Sequence, residues 1–340
     1  MSGTFVDLAE DRGALLAMLR DCGLAEADES PVVEALTGGV SSTILRVGLR
    51  AGDVCVKQAL PRLKVAKEWL APTDRVFAEI DWLEAVGAIL PGNVPHVLAR
   101  DKARGALVMA YLAPQDHPNW KTEMLAGRLH AEAGAKMGDI LGTIHARTAR
   151  DPGIAARFDN DRNFHALRLE PYLLETAGRH PDLHDRLHDI VRETQSHKLA
   201  LVHGDVSPKN ILLGAAGPIL IDAECACHGD PAFDLAFLLN HLLLKAIHRP
   251  DRAAALAALF DSTTAHYSRH VQWEPLDTFE ARAARLLPAL LLARIDGKSP
   301  VEYLSEPQRS QARNLARPLV SDGPDRLLDV AGSVFGALSK

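Results

Sequence analysis

The chain has 340 residues, 47% hydrophobic and 24% charged, an ordinary globular composition with room for two cores. A net charge of -6 and a pI near 6.2 argue against a nucleic-acid binder that relies on a basic face. Residues 1–10 lack a basic start followed by an apolar stretch, so no signal peptide is read there. The longest apolar run, 235–247, is interrupted by Asn240, His241 and Lys245 and suits a buried helix rather than a membrane span. Cys22, Cys55, Cys225 and Cys227 form no C-x-x-C pair, which argues against structural zinc and fits reduced thiols in the cytoplasm.

In chain order, residues 12–19 have helical spacing, and Ser30-Pro31 punctuates the end of that stretch. Residues 32–36, 43–49 and 54–59 read as short strands, with turns at Gly38-Gly39 and Ala51-Gly52-Asp53. Arg62, Lys64 and Lys67 make a local basic patch that reads as a solvated loop. A helix begins near Pro72, with Val76, Ile80, Leu83 and Val86 as its apolar stripe. A further strand, 106–112, leads through Ala113-Pro114 into a region dominated by helices. The exception there is 199–221, where apolar 199–202 runs into a loop and 211–213 pairs with 219–221 across 214–218. The pattern predicts an α+β, bilobal fold. Residues 1–112 form a small antiparallel-sheet lobe and 113–340 a larger helical lobe.

The loop His203-Gly204-Asp205-Val206-Ser207-Pro208-Lys209-Asn210 carries the chemistry. Phosphoryl transfer needs a carboxylate to orient or deprotonate the attacking hydroxyl, and hard oxygen ligands for magnesium. The Asp-to-Asn spacing matches the kinase catalytic loop, with glycine at 204 where arginine is usual. Asp205 is then the base or orienting carboxylate, Asn210 gives an amide oxygen to the metal, and Asp222, after the hairpin, is the second metal ligand. Taken alone, His-Gly-Asp could be a simple turn; the ordered set is far more specific.

Residues 201–243 resemble the aminoglycoside phosphotransferase and choline kinase superfamily, through this loop, Ile221-Asp222-Ala223-Glu224 and Gly229-Asp230-Pro231-Ala232-Phe233-Asp234-Leu235-Ala236. The resemblance implies a protein-kinase-like fold, with Asp234 holding the catalytic loop and His203 acting as a strut. It implies a nucleotide site in the first lobe. Gly38, Gly39, Ser41 and Ser42 would approach the phosphates, although the segment is not G-x-G-x-x-G and a hairpin turn serves equally. Lys57, after Val54-Cys55-Val56, resembles the V-A-I-K lysine, and Glu79 on the apolar face of the next helix is its expected partner. Glu84 is the alternative, further from the stripe. Ala110-Tyr111-Leu112 is the expected hinge, where backbone groups of Ala110 and Leu112 would read adenine. ATP and Mg2+ are the implied cofactors.

Asp74-Arg75, Val94-Pro95, Asn240-His241-Leu242-Leu243-Leu244 and Ala293-Arg294-Ile295-Asp296-Gly297 further resemble the methylthioribose kinase branch, although Ala293 replaces an expected arginine. Arg294 and Glu224 are the candidate acceptor-site residues. Arg294 could equally bridge helices, while acidic groups in the second lobe would suit an aminoglycoside, choline or an amino alcohol. His145, His180, His184 and His188 suggest packing or solvation rather than a ligand cluster. Only eleven positions separate Asp222 from Phe233, which leaves little room for a peptide substrate. The expected partner is a small hydroxyl acceptor, without nucleic acid or membrane. A non-catalytic nucleotide-binding module is the alternative.

Overall fold

The computed structural model describes residues 6–36, 42–60 and 75–338. The chain divides into two compact units, Met1–Asp116 and His117–Lys340.

In the first unit, α1 (Arg12–Asp21) is capped by Asp11, whose carboxylate accepts from Ala14 N at 2.9 Å. Leu15, Met18 and Leu19 lie three and four positions apart, so they share one face. That face packs on Leu45, Val47, Val54, Val56, Ala106 and Val108 of the sheet. The sheet is antiparallel throughout, in the order β1-β2-β3-β5-β4: β1 (Val32–Ala35), β2 (Ser42–Leu49), β3 (Gly52–Ala59), β4 (Val97–Asp101) and β5 (Ala106–Ala110). Helix α2 (Arg75–Ile89) buries Val76, Ile80, Leu83 and Val86, the stripe expected of it. Strand β4 was not anticipated. Its sequence is half polar and its burial alternates, as suits an edge strand. Gly38, Gly39, Ser41, Pro72, Asp74 and the patch of Arg62, Lys64 and Lys67 lie outside the described residues.

The second unit begins with α3 (Trp120–Leu125), α4 (Ala131–Thr148), α5 (Pro152–Arg157) and α6 (Asp161–Phe164). A π-helical run, His165–Leu174, contains Pro171, which cannot donate a backbone hydrogen bond. After α7 (Glu175–Arg179) and α8 (His184–Ser196) comes a short β insert. Within it β6 (Ala200–Val202) pairs with β9 (Cys227–Gly229), while β7 (Ile211–Gly214) and β8 (Gly217–Leu220) form the expected hairpin. Helices α9 (Pro231–His248), α10 (Ala253–Ser268), α11 (Leu276–Asp296), α12 (Glu306–Asp322) and α13 (Leu327–Leu338) complete it.

Helix α9 is buried from Pro231 through Ile247, as its near-continuous apolar sequence requires. Each fully buried Leu there contributes about 1.5–3 kcal/mol of transfer free energy. Its N-terminus is fixed by Asp230, which accepts from Ala232 N at 3.0 Å and from Arg282 of α11 at 3.0 and 3.1 Å. Among the described residues no helix is long and apolar enough to cross a membrane.

Candidate active site

The loop after β6 is held from behind by Asp234, on the first turn of α9. Its carboxylate accepts from His203 N at 2.7 Å and Gly204 N at 2.9 Å. The His203 ring lies 3.1 Å (Nε2) from Ile221 O and accepts from Asp205 N at 3.2 Å (Nδ1). Burial lowers the His203 pKa despite nearby carboxylates, so a neutral imidazole spans loop and hairpin. That is a strut's position.

Asp205 is 3% exposed. Burial alone would raise its pKa, but Arg168 and then Lys209 outweigh this and hold the carboxyl below its ordinary value. An Arg168 guanidinium nitrogen lies 2.8 Å from Oδ2, and Lys209 Nζ lies 3.1 Å from it. Arg168 also donates to the carbonyls of Gly204 and Leu167. It is buried in the π-helical run, far from the loop in sequence.

Gly204 explains why the familiar arginine is missing. Its φ is +76°, and a Cβ there would lie 2.9 Å from both the Cβ and the carbonyl oxygen of Cys225. No larger residue fits without displacing backbone. The guanidinium that meets Asp205 comes from another element, the π-helical run.

Asn210 donates its amide to Asp205 O at 3.1 Å, which leaves the amide oxygen for a cation. Its own carbonyl accepts from Ile221 N at 3.0 Å, tying the loop's end to the start of the Ile221-Asp222 segment. Asp222 follows with φ +66°, a left-handed conformation that Asp tolerates better than most residues. Such backbone conformations concentrate at functional sites. Among the described residues no group of three or more His, Cys, Asp or Glu could hold a metal by itself. An amide oxygen plus one carboxylate instead suits a magnesium ion that takes its remaining ligands from phosphates and water.

In the first unit, Lys57 of β3 lies 2.6 Å from Glu79 of α2, with side chains 5% and 1% exposed. Glu84 sits elsewhere, 3.7 Å from Arg100. Ser42 opens β2 opposite Ala59, and Ala110 ends β5 with its N–H bonded to His96 O at 2.9 Å. Leu112 follows the strand, half-buried.

Residues 32–270 match the phosphotransferase enzyme family, across more than half of the chain. The chain belongs to that family. A methylthioribose kinase from Erwinia tasmaniensis is 26% identical over 223 residues, covering 58% of this chain and 55% of that protein. The chain thus spans about half the length of such curated relatives. Among solved structures, a choline kinase from Cryptosporidium parvum superposes with a TM-score of 0.58 at 12% identity, covering 97% of this chain and 100% of that one. The choline kinase LicA from Streptococcus pneumoniae gives 0.52 at 14% identity, covering 92% and 100%. At these identities the likeness establishes the kinase-like fold of the family member, a small antiparallel sheet followed by a mostly helical region.

Glu224 is half-buried and belongs to the charged surroundings of Arg168. Among the described residues Arg294 bridges no helices through a carboxylate. It donates to the Tyr172 hydroxyl at 3.2 Å and to the Ser299 hydroxyl and carbonyl. His145 and His180 are packed and bonded, to Tyr267 and Asp296 respectively. Sequence reasoning missed Arg168. The contact joins the π-helical run to a loop far along the chain, and no local sequence pattern marks it.

Proposed function

We propose that this protein transfers the γ-phosphoryl group of ATP to a hydroxyl of a small molecule. The observation that carries the reading is Asp205, buried yet held ionised by Arg168 and Lys209, with the Asn210 amide bonded to its carbonyl. The acceptor oxygen attacks the γ-phosphorus, the bond to the bridging oxygen breaks, and ADP leaves. Because the transition state is loose, the attacking hydroxyl needs orientation more than early deprotonation. A carboxylate held below its ordinary pKa is suited to this, since it accepts the hydroxyl's hydrogen bond and takes the proton late. Lys209, whose side chain is exposed beside it, would meet the transferred phosphoryl oxygens.

The residues that would hold magnesium are Asn210 and Asp222; when bound, the ion neutralises charge on the β- and γ-phosphates. Lys57, fixed by Glu79, would contact the α- and β-phosphates, and the segment containing Gly38, Gly39, Ser41 and Ser42 would approach them through its backbone. Ala110 and Leu112 would flank the base. The likeness to a methylthioribose kinase and to choline kinases supports trying sugars and amino alcohols as acceptors, with aminoglycosides beside them.

The test is acceptor-stimulated ADP release over a panel of hydroxylated metabolites, with and without magnesium. Stimulation that requires the metal and is lost in Asp222→Asn supports the reading. If nucleotide binds and no acceptor stimulates turnover, a regulatory nucleotide-binding module replaces it.

A further inference from the structure

Helix α9 carries His241 and Lys245 one turn apart, and Lys245 is 1% exposed. The Lys245 ammonium contacts the Tyr303 hydroxyl at 2.8 Å and sits 4.0 Å from the centre of that ring. Arg294 of α11 lies over the Tyr172 ring, 5.5 Å from its centre, and bonds the Tyr172 hydroxyl. Neither cation has a carboxylate within 4.0 Å among the described residues. Lys121 of α3 adds a third positive charge, and the one acidic group paired in this cluster, Glu302, is bound to it. Buried charges are ordinarily matched by partners of opposite sign. Here the positive charges exceed the negative ones.

The cluster adjoins the catalytic loop. The Arg168 guanidinium that meets Asp205 also lies 5.7 Å from the centre of the Tyr172 ring. Asn119, the N-cap of α3, donates to Lys209 O at 2.7 Å, which sets Lys121 beside the loop. Arg294 and Tyr303 are half-buried rather than sealed in. We propose that the acceptor carries an oxyanion, a carboxylate or phosphate, bound by Arg294 and Lys245 with Lys121 beside them, while its hydroxyl faces Asp205. This deepens the phosphotransferase reading and rests on it. A quaternary ammonium or an amino sugar would be repelled, and a neutral sugar would leave the charges unused.

Electrostatics supports the assignment. Burial first, then Lys121 and Arg294, pull the Lys245 pKa down to about 7, with Glu302 opposing. Burial together with Arg294, Lys245, Lys209 and Lys121 pushes His241 well down. An incoming anion would relieve this repulsion and favour the ammonium form.

The experiment uses the full chain and a matched set: gluconate, glucose 6-phosphate, glucose and glucosamine, each with magnesium-ATP. The acidic members should exceed glucose in kcat/KM by at least about 100-fold, the order expected for a desolvated charge-assisted contact. Lys245→Met and Arg294→Gln should each cut that ratio about tenfold or more. Gluconate against glucose 6-phosphate separates carboxylate from phosphate. Thermal shifts with inorganic phosphate against chloride, at equal ionic strength, give a readout independent of turnover. Phosphate should raise Tm in the wild type, and less in both variants. Preference for glucose or glucosamine would overturn the anion site while leaving the kinase reading intact. If nothing is turned over, a phosphate shift unchanged in both variants overturns the anion site, whereas a shift they reduce supports the site and counts against only the kinase reading.

Discussion

With a guanidinium nitrogen 2.8 Å from one oxygen, the Asp205 carboxylate stays ionised further into acid than an isolated aspartate. Its folded-state pKa is depressed, so the stabilisation is present above the ordinary carboxylate value and is lost as pH falls through the depressed one. Arg168→Met should raise that pKa, moving the acid limb of the kcat profile to higher pH and lowering kcat by about 100-fold, the scale of one lost charge-assisted contact in a buried site. A pH–rate profile checks this; an unmoved acid limb would reduce Arg168 to a packing residue. Gly204 gives a second test at this scale. Gly204→Arg would restore the usual kinase His-Arg-Asp triplet, yet a side chain at φ +76° against Cys225 should destabilise the chain by about 1–3 kcal/mol and lose activity. Urea unfolding measures it, and wild-type stability in this variant would contradict the account.

Two helix contacts lie behind the loop, through His145 of α4 beside Asp234 and through Arg282 of α11 at Asp230. Helix α4 presents Gly134, Gly138 and Gly142 at intervals of four on one face; the first two meet α10 at backbone distance and the third meets the His270 side chain just beyond it. A Cβ at 138 would run into the Thr263 carbonyl and lie 2.9 Å from Tyr267 N. Gly138→Ala gains about 0.5–1 kcal/mol of helix propensity, but forcing the helices apart should cost about 1–3 kcal/mol, for a net loss visible in the denaturation midpoint. At the start of α9, Arg282 of α11 bonds both Asp230 and Glu274. Arg282→Met would leave two buried carboxylates facing each other and should cost about 3–5 kcal/mol. Because Asp230 caps the helix that carries Asp234, kcat should fall with stability. Elements whose pattern is local were legible in the sequence: the strands between glycine turns, the stripe of α2 and the all-apolar α9. Strand β9 is three residues, Cys227–Gly229, and exists only through pairing with β6 across a long separation. The Arg168 contact and the meeting of Lys121, Lys245 and Arg294 are likewise products of packing, which no periodicity encodes.

Across the whole molecule, ionisable groups are arranged for neutral pH. Lys245, lowered to about 7, already favours proton binding by the unfolded chain above neutrality, and His203 and His241, lowered by burial, add to this as pH drops below about 6.5. Asp205 and Asp296 are held below their ordinary values chiefly by arginine partners despite burial, and their contribution is lost later, below about 3.9. Stability measured by urea unfolding should therefore decline in two stages on acidification; a flat profile between pH 7 and 5 would contradict the buried neutral histidines. In the candidate site the order of loop, hairpin and Asp222 was visible in the sequence, because a continuous stretch of chain builds it. The acceptor's chemistry was not, because its residues come from α3, α9 and α11 and the segment after α11. The role proposed for Asp205 is to direct phosphoryl transfer to an acceptor hydroxyl. It is tested most directly by following phosphorylated acceptor by 31P NMR with wild type and Asp205→Asn under magnesium-ATP. Product is expected from the wild type, with a loss of about 1,000-fold in the variant and ATP still bound. Equal product formation by the two proteins would contradict it.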